Sequence, residues 1–130
     1  HFQGKKECIL FPNGEKKHMY KVPYSLITHE SIDFSNPDFE RWPALQHAKG
    51  YKTELEHGNV LYMPEGYWHH MRYITPGFSM SMRALARSPK NLSQAVYNIF
   101  IMRNIDNLMR RIKGQQWIDE KNEKAIKNNH

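Results

Sequence analysis

Cysteine is nearly absent from this chain. Cys8 is the only one in 130 residues, which excludes an internal disulfide and suits a reducing, cytoplasmic setting. It lies inside an apolar strand pattern and reads as buried core filler, not as a reactive thiol. Long apolar runs are absent too. None approaches the roughly 20 residues needed to cross a bilayer, and no signal-peptide pattern opens the chain, so no membrane partner is expected. Acidic residues are scarce in the last third: residues 83–130 carry four against ten basic groups, whereas residues 1–82 carry nine of each. The whole net charge of +6 therefore sits at the C-terminal end. Such a surface can attract nucleic acid or an acidic protein. No nucleic-acid motif accompanies it, so it reads as the solvated face of amphipathic helices, and nucleic acid is not an expected partner.

The length allows one domain with a moderate core. Residues 4–12 (GKKECILFP) make a charged turn and then a strand, which Pro12 ends because it cannot donate to a ladder. Asn13-Gly14 marks a turn, and residues 18–26 read as a short edge strand or an extended loop. Residues 31–39 are loop chemistry, with Asp, Ser and Asn beside a proline. A short helical turn is expected over 44–48, ahead of Gly50. Residues 51–56 alternate as a strand. Residues 59–63 are nearly continuously apolar, as a buried central strand is, and 67–75 are expected to pair with them across Pro64-Glu65-Gly66. On the two-residue period Tyr67, His69, Met71 and Tyr73 share one face, and Trp68, His70, Arg72 and Ile74 the other. A last strand over 78–86 should pack Phe78, Met80, Met82 and Ala84 and present Ser79, Ser81 and Arg83 on its polar face.

Ser88-Pro89 then starts a helix, with serine at the cap and proline first. Apolar residues recur at helical spacing from Leu92 to Ile112, and Gly114 stops the run. Residues 115–127 make a second, shorter helix. The pair can pack over its own sheet or bury its apolar stripe against another copy of the chain. The division expected is a β portion over residues 1–87 and a helical pair over 88–130.

The centre of this pattern is residues 58–70 (GNVLYMPEGYWHH): two apolar runs flanking a Pro-x-Gly turn, the second opening on paired aromatics and paired histidines. An imidazole projected from a rigid strand suits a metal ligand. This stretch resembles the late metal-ligand motif of the JmjC and cupin-like oxygenases. Residues 31–43 (SIDFSNPDFERWP) are similar to a loop of the hypoxia-type asparaginyl hydroxylases, and residues 4–12 look like that group's cosubstrate strand. The resemblance covers about residues 4–86, with its three motifs in order.

The resemblance implies a double-stranded β-helix (cupin or jelly-roll) portion followed by helices. It further implies an oxygenase dependent on Fe(II) and 2-oxoglutarate, the iron being held by two histidines and a carboxylate. His69 falls on the second histidine ligand. Lys6 falls on the basic residue that pairs with the far carboxylate of 2-oxoglutarate, and Ser81 and Arg83 share a face that borders the pocket. Arg83 and Leu85 stand where the asparaginyl hydroxylases have asparagine and tryptophan, which puts peptidyl-asparagine specificity in doubt. The family's His-x-Asp or His-x-Glu pair is missing: none of the eight histidines is followed two residues on by a carboxylate. The expectation is that this chain is the C-terminal part of such a domain, the first ligand pair lying upstream. The alternative is a catalytically inert cupin-like module for interaction or dimerisation, with a basic helical surface. The similarity of residues 88–127 to that group's dimerisation helices makes a homodimer the expected partner.

Overall fold

The computed structural model describes residues 1–84 and 88–129. Its centre is an antiparallel sheet of three strands, β1 (Lys6–Phe11), β2 (Tyr51–Leu55) and β3 (Trp68–Tyr73), in the spatial order β2-β1-β3. β1 takes the middle because all six of its residues are buried. Only a strand covered on both faces can carry Cys8, Leu10, Ile9 and Phe11 on alternating sides. The register pairs Lys6 with Tyr73, Cys8 with Met71 and Leu10 with His69. Directly opposed residues share a face, so these six form the front. Glu7, Ile9 and Phe11, opposite Arg72, His70 and Trp68, form the back.

The back is covered by the long connection between β1 and β2. Ile9, Phe11 and Met19 pack with Phe34, Ala48 and Trp68. A second cluster of Tyr20, Ile32, Trp42 and Leu45 lies beyond, with Phe34, Ala44 and Ile126 against it. Tyr20 and Trp42 meet edge to face at 4.9 Å, a geometry that adds to the burial of both rings. The expected helical turn exists as a 3-10 turn at Pro43–His47, and another, Asn13–His18, follows Pro12. Residues 18–26 form no regular strand; Lys21 and Thr28 make a single bridge.

Two strand expectations are corrected. Residues 59–63 form no strand, and Val60 and Tyr62 are 93% and 81% exposed. β3 pairs with β1 and not with this run. Residues 78–84 join the sheet only through one bridge, Gln3 to Phe78, and the expected packed side chains Met80 and Met82 are exposed. The reason is the same in both places. An apolar segment becomes a strand only where a neighbour supplies ladder partners, and among the described residues neither run lies in register along the outer edge of β2 or β3, while β1 has both its edges taken. Leu85 and Ala86, at the end of the second expected strand, lie outside the described residues. The architecture is therefore a three-stranded antiparallel sheet with C-terminal helices.

The helices fall where the periodicity puts them. One continuous helix comprises α1 (Pro89–Val96), a π-helical segment (Tyr97–Met102) and α2 (Arg103–Lys113); Gly114, at φ +56°, ends it. Ser88 stands at its cap in extended backbone, but its side chain makes no capping bond. α3 (Gln115–Lys127) folds back through a clamp on Asp106, which accepts from Trp117 Nε1 at 2.8 Å, Lys121 Nζ at 2.5 Å and Arg110 Nε at 2.8 Å. Burial alone pushes the Asp106 carboxyl up, but these donors hold it below its ordinary value. α3 then docks on the back layer: Ile126 joins the Tyr20 cluster, Trp117 lies 5.6 Å from Tyr24, and Asn129 Oδ1 accepts from Tyr20 N at 3.4 Å. The long helix keeps its own apolar stripe exposed at Leu92, Val96, Phe100, Leu108 and Ile112.

Candidate functional site

The turn before β3 is set by Gly66 at φ +81°, a left-handed conformation open to glycine at no steric cost. The Tyr67 N–H donates to the Pro64 carbonyl at 3.3 Å across it. The next residue, Trp68, is anchored in the back cluster with Phe11. That anchor fixes the strand's phase, so His69 emerges on the front, opposite Leu10, with its side chain exposed. His70 goes to the back, its ring 5.6 Å from Phe34, and its Nε2 is buried without a hydrogen-bond partner. The two adjacent histidines thus have separate environments, as the two-residue period requires.

Lys6 sits on the same face as His69, four residues along β1 from Leu10, or about 13 Å at the usual strand rise. Its side chain is unusual: the residue is 8% exposed, yet no carboxylate lies within ion-pair reach among the described residues. Its Nζ donates to Ser79 Oγ at 2.7 Å and lies 5.3 Å from the centre of the Tyr73 ring. A hydroxyl and an aromatic face engage a cation without neutralising it. The neighbouring charges are paired elsewhere. Lys5 meets Glu56 at 2.6 Å. Glu7, on the back, meets Lys52 at 2.6 Å and Arg72 at 3.6 Å. The Lys52 bond, then the polar Ser35 hydroxyl nearby, brings the Glu7 carboxyl down to about 2.

The front thus gathers His69, Lys6, Ser79 and Tyr73. Ser81 and Arg83 are exposed further along the chain and make no hydrogen bond or ion pair among the described residues. Tyr73 escaped the sequence reading, although the alternation already placed it on the face of His69. Burial cannot be read from a lysine's letter, so the lack of a counter-charge at Lys6 became visible only in the fold.

These residues fit part of a metal and dicarboxylate site. A buried, uncompensated ammonium with unused donors suits the distal carboxylate of a small diacid, and an exposed imidazole on a rigid strand suits a metal ion. The rest of a metal site is not here: among the described residues no three His, Cys, Asp or Glu side chains gather to hold an ion. No helix among these residues is long and apolar enough to cross a membrane.

The cupin-like domain profile matches residues 1–104. HSPB1-associated protein 1 of Rattus norvegicus is 32% identical over 77 residues, covering 57% of this chain and 16% of that protein. The tRNA wybutosine-synthesizing protein 5 of Gallus gallus is 34% identical over 68 residues, 52% of this chain and 20% of its own length. Jumonji C domain-containing protein 5 of Drosophila melanogaster is 32% identical over 79 residues, 60% and 20% respectively. The chain therefore spans a fifth or less of these relatives.

Proposed function

Because the chain belongs to the cupin-like domain family, we propose that it is the C-terminal part of an Fe(II)- and 2-oxoglutarate-dependent oxygenase domain of the hydroxylase type. The observation that carries this reading is the buried Lys6 ammonium without a carboxylate partner, on the same sheet face as the exposed His69. A structural lysine is rarely buried unless paired. One held this way keeps its charge for an anion that arrives from outside the fold.

In this reading Lys6 binds the distal carboxylate of 2-oxoglutarate, and Ser79 orients the ammonium toward it. Ser81 and Arg83 continue that strip toward the mouth of the pocket. His69 gives one imidazole ligand to Fe(II), and the His-x-carboxylate pair comes from chain upstream of residue 1, as does the β-structure that completes a jelly-roll against 59–63 and 78–84. When bound, the iron supplies the oxygen chemistry. This chain's task is to hold the cosubstrate in register with the metal.

Anaerobic titration of the natural full-length protein with Fe(II) and 2-oxoglutarate tests the proposal. The expected result is a visible charge-transfer band that needs both components and disappears in His69→Ala. Absence of the band, or its persistence in His69→Ala, defeats the reading.

The second reading, an inert cupin-like module that dimerises through residues 88–127, draws on the exposed stripe of the long helix. Its basic surface is thinner than the sequence suggests, since Arg110 pairs with Asp106 and Lys113 with Glu120. Arg103 and Arg111 remain without an ion pair among the described residues.

A further inference from the structure

Behind the sheet, away from Lys6, the two 3-10 turns bring together histidines 29 positions apart in sequence. His18 is the last residue of the turn Asn13–His18, and His47 the last of Pro43–His47. Their rings lie 5.8 Å apart, centre to centre, with planes 49° from one another. Both border an open concavity of about 440 Å³, along with Lys17, Pro43, Ala44, Asn128 and Asn129. Neither ring makes a hydrogen bond among the described residues, whereas two polar groups nearby are committed. Asn129 bonds Tyr20 and Ala125, and the Glu15 carboxylate accepts from Lys49 N at 3.0 Å.

We propose that His18 and His47 form a bis-imidazole site for a divalent transition ion, separate from the His69 site. Two imidazoles that share one ion at the usual Zn–N distance of about 2.0–2.1 Å bring their ring centres to roughly 5–6 Å. The observed pair already stands at that separation. The turns that carry the rings are anchored. Met19 and Tyr20, next to His18, are buried, as is Leu45 two residues before His47. The Tyr20 hydroxyl also accepts from Ala44 N at 3.1 Å, tying one turn to the other. Metal uptake therefore orders little that is not already ordered. No carboxylate lines the concavity, so the two imidazoles are its strongest metal donors, with water completing the shell. A nitrogen set of this kind selects nickel, copper or zinc over magnesium or calcium. The lysine beside it makes a small anion the natural competitor, and the test must separate the two.

The experiment is a Zn2+ titration against a chromophoric chelator, following the imidazole proton resonances of the unsubstituted protein alongside. The expected result is one equivalent of Zn2+ that shifts the ring signals of His18 and His47 together. Its affinity should fall at least tenfold in His18→Gln and in His47→Gln. Thermal unfolding of each variant shows whether it folds, and the ring shifts need no variant at all. Unchanged Zn2+ affinity in both folded variants would overturn the site. So would rings that answer to inorganic phosphate and not to Zn2+, which would mark the concavity as an anion pocket. Neither result bears on the iron proposal, which rests on other residues.

Discussion

On the back of the sheet the Glu7 carboxylate is flanked by Lys52 and Arg72. On the front, one residue earlier in the same strand, the Lys6 ammonium meets a hydroxyl and an aromatic ring. Both side chains are buried. The back also carries the two apolar clusters, while His69 on the front is exposed. Charge is neutralised on one face of β1 and left unneutralised on the other, although β1 is buried on both. The first arrangement serves the fold. The second costs the fold something and, in the proposed function, is retained for a ligand, the usual relation between stability and a binding site.

Breaking the back should have the largest effect. Trp42→Ala removes the ring that Tyr20, His29 and Arg41 pack against. It should cost roughly 3–5 kcal/mol of unfolding free energy, read by urea denaturation. Lys6→Met should act in the opposite way. It removes a buried charge that has no counter-ion, so stability stays level or rises by up to about 1 kcal/mol. In the full-length protein, 2-oxoglutarate affinity should meanwhile fall at least tenfold, about 1.4 kcal/mol. A Lys6→Met protein that is less stable than the parent and binds 2-oxoglutarate as well as the parent would erase the distinction between the faces.

Acid sharpens the comparison further. The Glu7 carboxyl lies near 2 in the folded protein and near 4.5 when unfolded. Between those values the unfolded chain binds the extra proton, so stability is lost as pH falls from 4.5 toward 2. Glu7→Gln should flatten that limb. His29, whose imidazole is pushed below its ordinary 6.5 by burial and then by Arg41, adds an earlier loss. Its contribution is complete above 6.5 and declines as pH drops below it. Urea midpoints at pH 7, 5.5, 4 and 3 separate the two, and a pH-independent midpoint would contradict both. The smallest change in stability, within about 0.5 kcal/mol, is expected for Phe100→Glu, because that side chain is 64% exposed. If the long helix joins two copies, the same substitution should convert a dimer to monomer in analytical ultracentrifugation.

The helical third was the most legible part of the chain. Proline at the start, glycine at the stop and a 3.6-residue apolar period are all local signals, and the helices end where those signals put them. β1 and the faces of β3 were legible for a similar reason, since alternation is a property of the strand itself. Which strands pair was not. Residues 59–63 are more apolar than β2, yet β2 forms a ladder and they do not. Pairing depends on which edge a segment is brought against, and no single segment records that. The candidate site divides the same way: the motif around His69 is written in the sequence, while the isolation of Lys6 and the approach of His18 to His47 are not.

By itself the sequence determined the family motifs, the side of the strand on which His69 emerges, and the limits of the helices, because each follows from neighbours a few residues apart. Only the tertiary structure decided that Lys6 is buried without a counter-charge, that Ser79 meets it, and that α3 docks on the back while the long helix stays bare. Those outcomes are set by contacts between residues dozens of positions apart, where the energy belongs to the pair and not to either residue.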